Sequence, residues 1–206
     1  MLFKKVLFPL LLFFFSPFPS FSYEVLTEWK LDREEEGIRI YYRLVKINEK
    51  LTTRQMKISF QIKAEASQVL YKFKDIHQFS QWTVGAKSCK LLRQFDDNWV
   101  VYSRLDIPWP FEQKDQITEY QLVQSPQLIT LKLTARPKYL PPYQGITRMD
   151  KYKGKWLFKP TSNGYTEVEF HSLSYKKASS LPKVVRDPII QNAFIDAISK
   201  LRNMFS

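Results

Sequence analysis

The chain has 206 residues, of which 44% are hydrophobic and 16% aromatic, with only five glycines and a formal net charge of +12. This composition excludes collagen and coiled coils, shows no sign of disorder, and fits a single globular domain. The positive charge favours an anionic partner, although plain solubility explains it equally well. Because the basic residues are scattered rather than clustered, weak attraction to an anionic membrane surface is favoured over nucleic acid.

The first 22 residues have the layout of a secretory signal peptide. A basic start precedes the apolar run 6–15, and the small residues Ser20 and Ser22 mark a cleavage site. The apolar run is much shorter than the roughly 20 residues that a membrane-spanning helix needs, so cleavage is expected rather than retention as an anchor. The sequence therefore predicts an exported protein, periplasmic or secreted, whose domain covers residues 23–206.

Two strands are predicted near the start of this domain. Residues 29–36 favour a short polar helix or a turn, which Gly37 ends. Alternating apolar and polar residues that favour β-structure predict strands over 37–43 and 53–64. The second strand places four apolar residues on one face, namely Met56, Ile58, Phe60 and Ile62.

A helical segment and a meander of strands follow. Ser67 is a suitable helix N-cap, and apolar residues at helical spacing predict one or two short helices over 67–82. Pro108 and Pro110 cannot donate to a sheet ladder, so the segment 108–117 is interpreted as a corner between two strands. The strands predicted from alternation and turn signals are 87–95, 99–107, 116–124, 128–135, 146–149, 155–160 and 165–176.

The last thirty residues change to a helical period. From Ser180 onward an apolar stripe predicts one long amphipathic helix. A curved antiparallel sheet that grips this helix would leave space between the two, and such a space is a natural site for a ligand. The residues of the stripe are Ile190, Phe194, Ile198, Leu201 and Phe205.

Six segments, in this order, resemble the START (steroidogenic acute regulatory-related lipid transfer) domains of the helix-grip, or Bet v 1-like, class. The resemblance covers about residues 29–205. Two positions depart from the family pattern: Lys114 stands where arginine is usual, and Thr83 follows Trp82 where aspartate is usual. The segments are WKLDREEEGIRIYYR, FKDIHQFSQW, PWPFEQKD, RPKYLPPYQGITRM, GKWLFKPTSNGYTEVEF and SSLPKVVRD.

The resemblance implies an α+β helix-grip fold, in which a curved antiparallel sheet wraps around a long C-terminal helix and encloses a hydrophobic cavity. It also implies a monomer that binds or transfers a sterol, a phospholipid or a similar lipid. The omega loop 136–145 and the last helix would act as a lid. No cofactor or metal is expected.

Strand alternation and the helical stripe select the residues that would line the cavity. One candidate is Arg148. The other candidates are Val101, Ser103, Leu105, Leu131, Leu133, Trp156, Phe158, Val168, Phe170, Ile190, Phe194, Ile198 and Leu201.

Arg148 has the same parity as Trp156 and Phe158, so it is expected to point into the cavity if no bulge intervenes. There it could pair with a lipid phosphate or carboxylate, or orient a hydroxyl. Two alternatives stay open. Arg148 could lie outward on the surface, or it could form a structural ion pair with an acid such as Asp106, Asp115 or Glu119.

The sequence does not direct a catalytic hypothesis. His77 and His171 are the only histidines, and Cys89, the only cysteine, is expected to be a small core residue. None of them has a partner at metal-ligand or catalytic spacing, so a binding protein is favoured over an enzyme. A helix-grip enzyme of the cyclase or hydrolase type would need a histidine that meets an Asp or Tyr inside the cavity. A third hypothesis is a basic interaction protein with a fully packed interior.

Overall fold

The structure, a computed structural model, describes residues 23–107, 112–175 and 182–206. The predicted signal peptide and the first four residues of the predicted sheet corner lie outside this part of the chain. The helices are α1 (Ala66–Lys74), α2 (Ile76–Trp82) and α3 (Lys183–Asn203). The strands are β1 (Glu24–Val25), β2 (Lys30–Glu35), β3 (Ile38–Asn48), β4 (Leu51–Ile62), β5 (Ala86–Gln94), β6 (Asn98–Leu105), β7 (Lys114–Gln124), β8 (Ile129–Ala135), β9 (Thr147–Met149), β10 (Tyr152–Pro160) and β11 (Thr166–Ser174).

The strands form one sheet in the order β1-β3-β4-β11-β10-β8-β7-β6-β5. β2 also pairs with β3, and β9 lies parallel to β7, whereas the other described pairs are antiparallel. Helices α1 and α2 carry the chain from β4 to the edge strand β5. One large antiparallel sheet with a long C-terminal helix confirms the predicted α+β helix-grip class.

The helices cover one face of the sheet, which we call the inner face, and the opposite face is called the outer face. On the inner face Phe73 of α1 is the centre of an aromatic cluster. Its ring centroid lies 4.5 Å from Trp82, 5.0 Å from Trp156 and 5.1 Å from Phe158. Edge-to-face packing of this kind adds to the burial energy of large side chains and fixes both short helices against the sheet.

The predicted polar helix or turn at 29–36 is wrong, because this segment forms the strand β2. Its charged side chains lie at the edge of the sheet and are mostly exposed, so they show no apolar alternation. The hairpin to β3 turns at Glu36 and Gly37, both with positive φ (50° and 70°), as tight hairpin turns require.

Two further boundaries differ from the prediction. β3 runs on to Asn48, so the gap between the predicted strands 37–43 and 53–64 shortens to a turn at Glu49 and Lys50. The N-cap of α1 is Glu65, two residues before the predicted cap Ser67, and the Glu65 N–H donates to the Gln68 side chain at 3.0 Å. In the described part of the chain, no helix has the length and apolar character needed to cross a membrane.

Candidate ligand-binding site

The inner face has two ends that differ in packing. At the packed end Ile38, Ile58, Phe158 and Val168 are fully buried, and α1, α2 and the last turns of α3 lie nearby. At the open end the inner-face side chains keep part of their surface exposed. These open-end residues are Tyr42, Arg54, Leu133, Gly154 and Ser172.

Strand register explains why the open end is less filled. One row across the sheet pairs Met56 with Ser172, Ser172 with Gly154, and Gly154 with Leu133. The next row toward the packed end carries Phe170 and Trp156 at the corresponding positions. Two small residues beside two aromatic ones make this row the less bulky of the two on the inner face.

Gly154 is required at its position by a close backbone approach. A Cβ atom there would lie 2.9 Å from the backbone oxygen of His171 and 3.4 Å from the Phe170 ring. The position therefore excludes larger side chains, which keeps this part of the sheet surface free of a side chain of its own.

The N-terminal half of α3 lies over the open end. The ion pair of Asp187 with Arg54 joins this half to β4, while Arg202 joins the last turn to the carbonyls of Gln61 and Glu36. The helix therefore runs along β4 from the open end to the packed end. Its first turns expose Val184 and Val185, so they are less tightly packed than the C-terminal half.

The buried stripe of α3 begins one residue later than predicted. Gln191 is buried, whereas the predicted Ile190 is 37% exposed. The Gln191 side chain donates to the Asp32 carboxylate at 2.6 Å and is also hydrogen-bonded to Tyr42. Because its amide has partners, Gln191 can be buried at little cost, and the apolar Ile190 turns toward solvent.

The predicted cavity residues divide between the two ends. Leu133 and Phe194 are partly buried and lie at the open end or opposite it. Ile190 is exposed as described above. The others are buried and belong to the packed interior, namely Val101, Ser103, Leu105, Leu131, Trp156, Phe158, Val168, Phe170, Ile198 and Leu201. Contact with a ligand stays a prediction for all of them.

The predicted inward orientation of Arg148 is wrong. The break at residues 150–151 separates β9 from β10, so the parity of β10 does not extend to Arg148. β9 instead pairs with β7 so that Arg148 stands beside Asp115. Thr118 and Tyr120 occupy the inner face of β7, so alternation along that strand places Asp115 on the outer face.

Arg148 forms the structural ion pair that was one of the alternatives. Its Nε and Nη2 donate to the two carboxylate oxygens of Asp115 at 2.5 and 2.9 Å. Its other hydrogen bonds reach the carbonyl oxygens of Pro137, Leu140 and Pro141, so all five N–H groups have protein acceptors. The carboxylate hydrogen bond raises the pKa of the guanidinium. Arg148 therefore anchors the omega loop to β7, and a direct contact with a ligand stays a prediction.

Arg54 is the polar residue of the open end that the list of candidates omits. Its guanidinium lies over the Tyr42 ring, 3.6 Å from the centroid, and donates to Asp187 at 2.5 Å. Burial raises the pKa of Tyr42, so its hydroxyl stays protonated over the physiological range. The sequence did contain a signal, since Arg54 precedes Met56 by two residues and therefore shares its inner face.

The histidines do not meet on the inner face. His77 is exposed on α2. His171 lies on the outer face, where its Nε2 is 2.8 Å from the Glu169 carboxylate and its ring packs edge-on against Trp29. Cys89 is half-buried beside the Ser103 hydroxyl, and burial raises the pKa of its thiol. Among the described residues, no three His, Cys, Asp or Glu side chains converge as a metal site would require.

A groove of about 580 Å³ lies on the outer face, away from the open end. Its lining includes three cationic side chains, Arg39, Lys159 and Arg202, together with the carboxylates of Glu167 and Glu169. Ligand pockets for apolar molecules are lined mostly by hydrophobic and aromatic side chains, so this groove does not match the predicted ligand.

Comparisons with known proteins agree with this architecture. No protein-family model matches the chain. The sequence is similar to an uncharacterized protein of Pseudomonas aeruginosa, with 25% identity over 177 residues that cover 85% of this chain and 86% of the relative. The structure is similar to a STAR-related lipid transfer protein of Xanthomonas axonopodis, with a TM-score of 0.74, 24% identity, and coverage of 86% of this chain and 98% of that one.

Human STARD10 is similar with a TM-score of 0.67 and 18% identity, over 85% of this chain and 71% of that one. The Zhui aromatase/cyclase of Streptomyces sp. R1128 is similar at a lower TM-score of 0.53, with 13% identity over 73% of this chain and 92% of that one. These likenesses concern the fold, since one fold serves many functions. The chain therefore has the fold of the START-related lipid transfer domains, in the helix-grip class, as its sequence motifs predict.

Proposed function

We propose that the chain binds a lipid or a similar hydrophobic molecule between the open end of the sheet and the N-terminal half of α3. The ligand is bound without chemical change and is carried between membranes after export through the leader at residues 1–22. The observation that carries this proposal is the contrast between the two ends of the inner face. At one end the apolar side chains are buried, whereas the side chains at the other end are partly exposed and include the small residues Gly154 and Ser172.

The fold supports the same proposal. One of the similar proteins of known structure, from Xanthomonas axonopodis, is named as a STAR-related lipid transfer protein. The positive charge of the chain would favour its approach to an anionic membrane, where such a ligand is taken up or released.

The aromatase/cyclase likeness supports the enzyme alternative only at the level of the fold. A histidine-based enzyme needs a histidine on the inner face with an Asp or Tyr partner. His77 is exposed and His171 lies on the outer face beside Trp29, so neither takes that position. The geometry therefore favours binding over catalysis.

Native mass spectrometry of the purified domain, residues 23–206, tests the proposal. We expect co-purified lipid, or uptake of lipid from mixed liposomes after delipidation. Protein that stays empty in both measurements would contradict the function.

A pair of matched variants tests the location. Ser172→Phe places a ring at the open end, whereas Ser59→Phe places the same ring on the outer face of β4. We expect Ser172→Phe to reduce lipid uptake and Ser59→Phe to leave it unchanged. Equal uptake by both variants would move the site away from the open end.

A further inference from the structure

Arg54 has a hydrogen-bonding group that nothing in the described structure uses. Its Nη1 donates to Asp187, but its Nη2 is buried and has no hydrogen-bond partner. A buried donor without an acceptor is destabilising, and more so when the group is charged. The Arg54 guanidinium can therefore donate to one more hydrogen-bond acceptor.

The charges around Arg54 do not balance. Asp187 accepts from Arg54 on one oxygen and from Arg186 on the other, at 3.2 and 3.3 Å. Two guanidinium groups thus share one carboxylate, which leaves one positive charge. The side chains of all three residues are at most 20% exposed, so solvent screens this charge less than it would at the surface. Asp32 is exposed and bonds Gln191 instead.

Asp187 lies near the N-terminus of α3. Pro188 follows it inside α3 and has no N–H to donate to the preceding turn. The segment that carries Asp187 therefore has one backbone hydrogen bond fewer to the rest of the helix, and its ion pair with Arg54 joins it to the sheet.

We propose that Arg54 binds the acidic head group of the hydrophobic ligand, a carboxylate or a phosphate, and that Asp187 occupies part of that site in this structure. This inference rests on the proposed lipid-binding function. An incoming acid group takes the unused Nη2 and displaces Asp187 from Nη1, since a guanidinium binds a carboxylate or phosphate through two parallel hydrogen bonds. The apolar chain of the ligand then lies along Leu133, Gly154 and Ser172.

Competition against the neutral dye Nile red tests the inference on delipidated protein. The ligands are oleate, oleoyl lysophosphatidic acid and the neutral methyl oleate. The variants are Arg54→Met, Asp187→Asn and the control Arg43→Met. Arg43 is matched because its guanidinium also stacks on an aromatic ring, that of Trp29, but on the outer face.

We expect Arg54→Met to weaken binding of the acidic ligands about tenfold or more and to change methyl oleate less than about twofold. Asp187→Asn removes the competing carboxylate charge and should tighten the acidic ligands. Arg43→Met removes the same charge and should behave as the wild type. Dependence on Arg54 for oleate alone identifies a carboxylate, and dependence for lysophosphatidic acid alone identifies a phosphate.

Equal weakening of oleate and methyl oleate by Arg54→Met would overturn the inference while leaving the binding function intact. Wild-type protein that binds neither Nile red nor any of the three ligands would contradict the function itself. If Arg54→Met does not fold, the Asp187→Asn variant provides the test. The inference would then be overturned if this variant bound the acidic ligands no more tightly than the wild type.

Discussion

The packed end and the open end are built on the same strands, yet they differ in the size and burial of their side chains. At the packed end, Phe73 lies against Trp82, Trp156 and Phe158 with ring centroids 4.5 to 5.1 Å apart, and little surface reaches water. At the open end, a glycine and a serine replace such rings on the neighbouring row. The difference indicates that stability is concentrated under α1 and α2, whereas the proposed ligand site lies under the first half of α3.

The comparison also separates two kinds of polar residue. Arg148 has an acceptor for each of its five donors and a buried carboxylate beside it, so it is part of the framework. Arg54 has an unused donor and shares its carboxylate with a second guanidinium. Both are arginines paired with aspartate, but they differ in the donors left unused, in the sharing of the carboxylate and in the face of the sheet on which they lie.

The largest effect is expected from a cavity at the packed end. Phe158→Ala removes a fully buried ring that contacts Phe73, so we expect a loss of about 4 kcal/mol in the free energy of unfolding. Phe194→Ala is the control at the open end, where the ring is only partly buried, and should cost about 1–2 kcal/mol. Urea unfolding measures both values. Similar losses would show that the two ends are packed alike.

A smaller loss is expected when the omega loop is released. Arg148→Met leaves the Asp115 carboxylate buried without its partner. We expect this change to lower the free energy of unfolding by about 3 kcal/mol, the lower limit for a broken buried ion pair, because water can reach the carboxylate if the loop moves. Hydrogen exchange over 136–146 should rise strongly. Arg136→Met is the control, since it breaks a more exposed pair with Glu119 and should cost less than about 1 kcal/mol. Unchanged exchange in Arg148→Met would show that other contacts hold the loop.

The sequence was sufficient for the order of most strands and helices, because each has an apolar face with a regular period. It failed for β2, whose charged residues lie on an exposed edge and show no such period. It failed for Arg148 because parity cannot be counted across the break at residues 150–151.

The candidate site was less predictable than the fold for a physical reason. Apolar patterns identify residues that pack, and most of the predicted lining residues are indeed in the packed interior. The open end is instead shaped by small and polar residues, such as Gly154, Ser172 and Gln191. Their placement follows from strand register and from hydrogen-bond partners distant in sequence.

A moderate effect is expected from filling the row of small residues. Gly154→Ala brings a Cβ to 2.9 Å from the His171 carbonyl oxygen, and backbone cannot yield easily, so we expect a loss of about 1–3 kcal/mol. Ser172→Ala, its cross-strand neighbour, adds no atom and should be nearly neutral. Thermal unfolding distinguishes the two variants. A neutral Gly154→Ala would indicate that this row is loose enough to adjust.

The smallest effect concerns the outer face. His171 stands opposite Lys57 and Lys155, and burial together with these two lysines lowers its pKa, against the opposing effect of Glu169. The His171 imidazole therefore becomes protonated at a higher pH in the unfolded chain than in the folded chain. The stability contributed is complete above the ordinary pKa of 6.5 and is lost as the pH falls through the lower folded value. His171→Gln should flatten the dependence of unfolding free energy on pH as the pH falls below the ordinary histidine pKa of 6.5. His77→Gln, at an exposed site on α2, is the control, and equal slopes for wild type and His171→Gln would contradict this assignment.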